Sequence, residues 1–93
     1  MKDIHKINLI NAKEMSILRS DTFDYYTDEI LLLKIGDFVK ISTGKERFWV
    51  EVESIDKDKL IGRIDNDLVT INEPKYDDLI EFTKENIFQV FSE

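Results

Sequence analysis

Hydrophobic and polar residues alternate most strictly between Arg47 and Ile55, with Phe48, Val50 and Val52 on one side and Arg47, Trp49, Glu51 and Glu53 on the other. A period of two marks a strand with one buried face. Upstream, Phe38-Val39-Lys40-Ile41-Ser42 reads as a strand entered through an Ile35-Gly36-Asp37 turn. Thr43-Gly44-Lys45-Glu46 is the turn between the two strands, where glycine takes a positive φ without strain. Downstream, Asp56-Lys57-Asp58-Lys59 is a polar turn and Leu60-Ile61-Gly62-Arg63-Ile64 the returning strand. Gly62, inside that strand, suits a bulge or a close backbone crossing. Asp65-Asn66-Asp67 forms a corner leading to a short strand, Leu68-Val69-Thr70-Ile71, after which Asn72-Glu73-Pro74 breaks regularity. Asp78-Leu79-Ile80-Glu81-Phe82 is a further strand, and Asn86-Ile87-Phe88-Gln89-Val90-Phe91 closes the chain.

The N-terminal third follows another pattern. Residues 1–10 read as an extended lead-in. Asn11-Ala12-Lys13-Glu14 places a polar cap three residues before a glutamate, and Met15, Ile17 and Leu18 follow, which predicts a helix from about residue 12 to 20. Phe23-Asp24-Tyr25-Tyr26 fits a short helical turn or irregular structure, and the apolar run Ile30–Leu33 fits a strand or a buried helical turn equally. Four or five closely spaced short strands with a glycine bend, after one helix, predict a mainly β protein with a minor α component: a small SH3-like antiparallel barrel with one N-terminal helix. A single domain over residues 1–93 is expected, with residues 1–31 a helical segment and 32–93 the barrel.

Composition narrows the chemistry. Ninety-three residues bury a bit under two-thirds of the unfolded surface, enough for one core. The 35% of charged residues are interspersed with apolar ones, which argues for a folded chain. The absence of cysteine excludes disulfides, thiolate metal sites and cysteine nucleophiles. No apolar run approaches the ~20 residues that cross a bilayer, and Met1-Lys2-Asp3-Ile4-His5 lacks a secretion-signal layout. A cytoplasmic protein without membrane contact is the expectation. The net charge of −7 bears on partners. Nucleic-acid binding depends on basic residues that replace counterions, whereas residues 21–29 carry Asp21, Asp24, Asp28 and Glu29 with no basic residue. No nucleic-acid ligand is expected; a protein partner with a basic surface suits the field better.

At a finer grain, four segments resemble the bacterial domain family DUF2314, whose members have no assigned activity. They are Gly36-Asp37-Phe38-Val39, Glu46-Arg47-Phe48-Trp49-Val50, Gly62-Arg63-Ile64-Asp65-Asn66-Asp67 and Asp78-Leu79-Ile80-Glu81-Phe82. The similarity covers residues of about 32–91, with two departures: Leu68 stands where the family often has proline, and Asp77 where it commonly has glycine. The resemblance implies a β-rich, SH3-like barrel and implies no activity.

Several residues stand out as candidate site groups. Trp49, the only tryptophan, sits between Arg47 and Glu51 on the charged face of its strand. It fits either an anchor for a partner or a structural ring covered by the helix or by Tyr25 and Tyr26. Asp65, Asn66 and Asp67 offer oxygens, but the EF-hand pattern fails: counted from Asp56, Leu60 and Ile61 fall where a ligand and a glycine belong. Turn-making through Asx side chains is the ordinary role of such residues. Glu51 and Glu53 share a face as glycosidase carboxylates can, yet need a cleft; as edge acids they are simply solvated. His5 is the only histidine, so no histidine-pair metal site forms within one chain. Gly44-Lys45 lacks the rest of a phosphate-binding loop. No metal, no cofactor and no catalytic constellation are expected.

These observations favour a non-enzymatic protein-interaction module acting through Trp49 and the acids around it. A specific form is an inhibitor or immunity-type protein that masks a basic partner. The alternative is a small-ligand-binding protein or enzyme with a pocket between the helix and the barrel, lined by Tyr25, Tyr26 and Trp49. A homo-oligomer packed through Ile30–Leu33 or Phe88–Phe91 is a third arrangement.

Overall fold

The computed structural model describes residues 4–12, 14, 30 and 32–91. Six strands form one sheet: β1 (Ile4–His5), β2 (Phe38–Ser42), β3 (Arg47–Asp56), β4 (Lys59–Ile64), β5 (Leu79–Thr83) and β6 (Gln89–Phe91). Their order across the sheet is β1-β5-β4-β3-β2-β6. The β2–β3–β4–β5 meander and the β2–β6 pair are antiparallel, while β1 runs parallel to β5. A 3-10 turn (Lys84–Asn86) joins β5 to β6.

The alternation that predicts β3 is realised. Phe48, Val50 and Val52 are fully buried, and Val39 and Ile41 from β2, Leu60 and Ile64 from β4, and Ile80 and Phe82 from β5 meet them on the inner face. Ile87 and Ile30 complete this cluster, and Ile7, Leu9 and Val90 pack against it. The turns have the expected chemistry. Gly36 and Gly44 lie at φ +99° and +95°. The buried Asp37 caps its own turn, its Oδ2 accepting the Lys34 N–H at 2.9 Å. The β3–β4 hairpin is tighter than expected, with only Lys57 and Asp58 between the strands and Lys57 at φ +57°.

The register of β3 on β4 slips between Val52 and Ser54, so Glu53 is the extra residue of a bulge. Gly62 stands opposite this point, paired with Val52. A Cβ on Gly62 would lie 3.0 Å from the Glu51 carbonyl oxygen and 3.0 Å from Phe82 Cε1. The glycine therefore permits a close crossing, while the bulge itself sits on the partner strand. Together they bend the hairpin.

Three expectations need correction. The sheet is mixed and open, where a closed antiparallel SH3-like barrel is expected from sequence. Its edges are the two shortest strands: β1 has two residues and β6 three, too few to pair along each other and close a cylinder. The expected N-terminal helix is not among the elements of the fold: no helix of seven or more residues occurs among the described residues. The Asn11 cap does form, its Oδ1 accepting the Glu14 N–H at 2.9 Å. The Asn11 side-chain amide at the same time donates from Nδ2 to Glu85 Oε2 at 3.1 Å. Residues 13 and 15–20 of the expected helix, like Phe23–Tyr26, lie outside the described residues. Finally, residues 68–71 form a loop, because the Val69 and Thr70 N–H groups bond a side-chain carboxylate in place of a neighbouring strand.

Residues 4–12 run as a strap along one end of the sheet. After β1 pairs with β5, Ile10 donates its N–H to the Ser42 carbonyl at 2.9 Å. The Ile10 carbonyl accepts from Asn86 Nδ2 at 3.2 Å. His5 is held in β1 with Nε2 3.6 Å from Asp78 Oδ2.

Candidate functional site

Among the described residues, the outer face of β6, β2 and β3 carries three of the aromatic side chains that reach solvent, Phe38, Trp49 and Phe91. Cross-strand register places Phe38 opposite Phe91 and Lys40 opposite Trp49. Because side chains at even spacing share a face, Phe38, Lys40, Trp49, Gln89 and Phe91 all project outward. The Lys40 ammonium lies 4.9 Å from the centre of the Trp49 ring, within cation–π range. Phe38, Trp49, Phe91 and Asp65 line a groove of about 240 Å³. Trp49 and Phe38 are half-buried in it, while Phe91 is 57% exposed at the sheet edge.

Two segments singled out in the sequence meet at Trp49. Its backbone N–H donates to Asn66 Oδ1, and its carbonyl accepts the Asp65 N–H at 2.9 Å. The Asp65–Asp67 corner thus continues the β3–β4 ladder after Ile64, an Asn side chain standing in for a strand carbonyl. This is the turn-making role, and it fixes the tryptophan in position. Asp65 and Asp67 are exposed; Asp65 reaches the groove. Glu51 lies on the same outer face, opposite Phe38 and Arg63. Glu53, displaced by the bulge, is engaged at 2.7 Å by Arg63, which also lies 3.7 Å from Asp77. The paired-carboxylate arrangement of Glu51 and Glu53 is therefore not formed: a strand irregularity separates them and one is taken up in an ion pair. Tyr25 and Tyr26, and with them the ligand pocket they are expected to line, lie outside the described residues.

Sequence reasoning missed Phe38 and Lys40, and named Phe91 only as part of a segment for self-association, not beside Trp49. Phe38 and Lys40 share their face with Ser42 by simple alternation, a signal that was available. The position of Phe91 depends on β6 pairing with β2 across about 50 residues of chain, which no local pattern encodes.

At the far end of β2 from the groove, the β2–β3 turn is braced by Glu46. Its carboxylate accepts the Thr70 hydroxyl at 2.6 Å, the Thr70 N–H at 3.1 Å and the Val69 N–H at 3.0 Å. These bonds, the Thr70 hydroxyl first, hold the Glu46 carboxyl below the ordinary carboxylate range. Among the described residues, no three histidine or carboxylate groups cluster as a metal site would require. No helix among them is long and apolar enough to cross a membrane.

No protein-family model, curated protein or solved structure matches the chain.

Proposed function

We propose that this protein is a non-enzymatic interaction module that takes an apolar segment of a protein partner into the Phe38–Trp49–Phe91 groove. The observation that carries this reading is a half-open aromatic groove beside an edge strand, β6. Exposed aromatic surface of this kind is where interface energy concentrates, and a sheet edge accepts an extended chain through backbone hydrogen bonds. The groove is pre-formed: Trp49 is held by the Asp65–Asn66 corner through its backbone and by Lys40 through its ring. Little ordering entropy is then lost on binding.

The more specific form, an inhibitor or immunity-type protein covering a basic partner, draws on the −7 charge and on Asp65 and Glu51 beside the rings. Opposite charges across an interface raise the association rate more than the final affinity.

Trp49 is the only tryptophan, so its fluorescence reports the groove directly. Partner binding is expected to shift its emission to the blue. Trp49→Ala should weaken affinity about tenfold or more with an unchanged far-UV circular dichroism spectrum, and association with a basic partner should slow as salt is added. An affinity indifferent to Trp49→Ala, or a variant that loses its fold, removes this site. A second copy of the chain is the other occupant that edge β6 and Phe91 suit; light scattering showing a dimer that Phe91→Ala dissociates would favour it.

A further inference from the structure

A second cavity, of about 300 Å³, lies at the opposite end of β2 and β3 from the groove, lined by Ile10, Ser42, Gly44, Lys45, Glu46, Arg47 and Phe88. Its volume is at the lower limit for small-molecule sites. Four features give it a definite chemistry. The Arg47 guanidinium lies 5.0 Å from the centre of the Phe88 ring, within cation–π range. No carboxylate lies within ion-pairing distance of Lys45 or Arg47 among the described residues, whereas Lys6 and Lys59 both pair with Glu81, and Arg63 with Glu53 and Asp77. Lys45 and Arg47 are the two cations that line this cavity. The one acid of the turn, Glu46, directs its carboxylate to Val69 and Thr70, where three donor groups share its charge. Lastly, the buried Ser42 accepts the Gly44 N–H at its Oγ, 3.0 Å away, leaving its own proton to donate.

We propose that this cavity binds a small aryl phosphate, the phosphoryl group between Lys45 and Arg47 and the ring against Ile10 and Phe88. A phosphate monoester is close to a dianion at neutral pH, so two cations balance it where a carboxylate needs one. Arginine matches its oxygens in a bidentate fork, and lysine adds a point charge. The Ser42 hydroxyl supplies a further donor. Ile10 and Phe88 give the ligand's ring apolar surface that inorganic phosphate cannot use. The site is separate from the Trp49 groove and does not depend on it.

The test is an amide NMR titration of the whole chain at low salt with phenyl phosphate, benzoate, inorganic phosphate and benzyl alcohol. Phenyl phosphate should move the Gly44, Lys45 and Arg47 amide signals saturably, with benzoate and inorganic phosphate weaker and benzyl alcohol inert. Lys45→Gln and Arg47→Gln should each weaken phenyl phosphate about fivefold to tenfold, with Arg47→Lys intermediate and Trp49→Ala without effect. Both charged residues are exposed, so these variants should keep the wild-type spectrum elsewhere. Absence of saturation, equal binding by the Lys45→Gln/Arg47→Gln double variant, or shifts confined to Phe38, Trp49 and Phe91 would each overturn the assignment.

Discussion

Gly62 has no room for a side chain. A methyl group there would press on the Glu51 carbonyl oxygen and on Phe82, both at 3.0 Å, and on Val50 Cβ at 3.2 Å. The first is backbone and the others belong to the core, so none yields cheaply. Gly62→Ala is expected to cost about 1–3 kcal/mol, seen as a melting temperature lower by roughly 4–8 °C per kcal/mol. An unchanged melting temperature would mean that the hairpin bends elsewhere. Residues such as Gly62, Phe48 and Val50 were legible in the sequence because strand alternation is a local signal. Glu46 was not: its partners lie 23 and 24 residues away, and a turn glutamate looks the same whether it braces a loop or faces water.

Among the elements, β3 and its flanking turns were read almost to the residue, while the segment at 68–71 was misread as a strand. Two alternations are too few to impose an extended ladder when a carboxylate stands ready to accept the same N–H groups. That substitution has a measurable consequence. The Glu46 carboxyl titrates below its ordinary range because the Thr70 hydroxyl and the Thr70 and Val69 N–H groups favour the charged form. A depressed folded value adds stability above the unfolded carboxylate range, which is lost as pH falls through the folded value. Glu46→Gln should therefore melt earlier than wild type near neutrality, and the two melting curves should converge in acid. A difference that persists undiminished at acid pH would show that the charge is not what braces the loop. At the other end of the sheet, partial desolvation pushes the Glu81 carboxyl up, but Lys6 at 3.2 Å and Lys59 at 3.4 Å outweigh it and hold it low.

On the scale of the molecule, charge is segregated in a way that a net figure of −7 conceals. The ion pairs centre on Glu81 of β5 and Arg63 of β4, with Lys6 just past β1, Lys59 of β4 and Glu53 on the far half of β3 as partners, whereas the cations that lie over rings, Lys40 and Arg47, stand on β2 and at the start of β3. Strand existence and inner faces could be read from the chain. Sheet closure could not, because it turns on which short terminal strand meets which edge, and the parallel β1–β5 pair joins residues some 75 positions apart. The strap at residues 4–12 follows the same logic. Its bonds to Glu85 and Asn86 span 74 and 76 residues, so it can dock only once the hairpins have brought β2 and the 3-10 turn together. What arrives last in folding through a few such bonds is commonly first to let go. Deuterium should thus replace the Ile10 amide proton well before those of Val50 and Val52; simultaneous exchange would instead make the whole protein one cooperative unit.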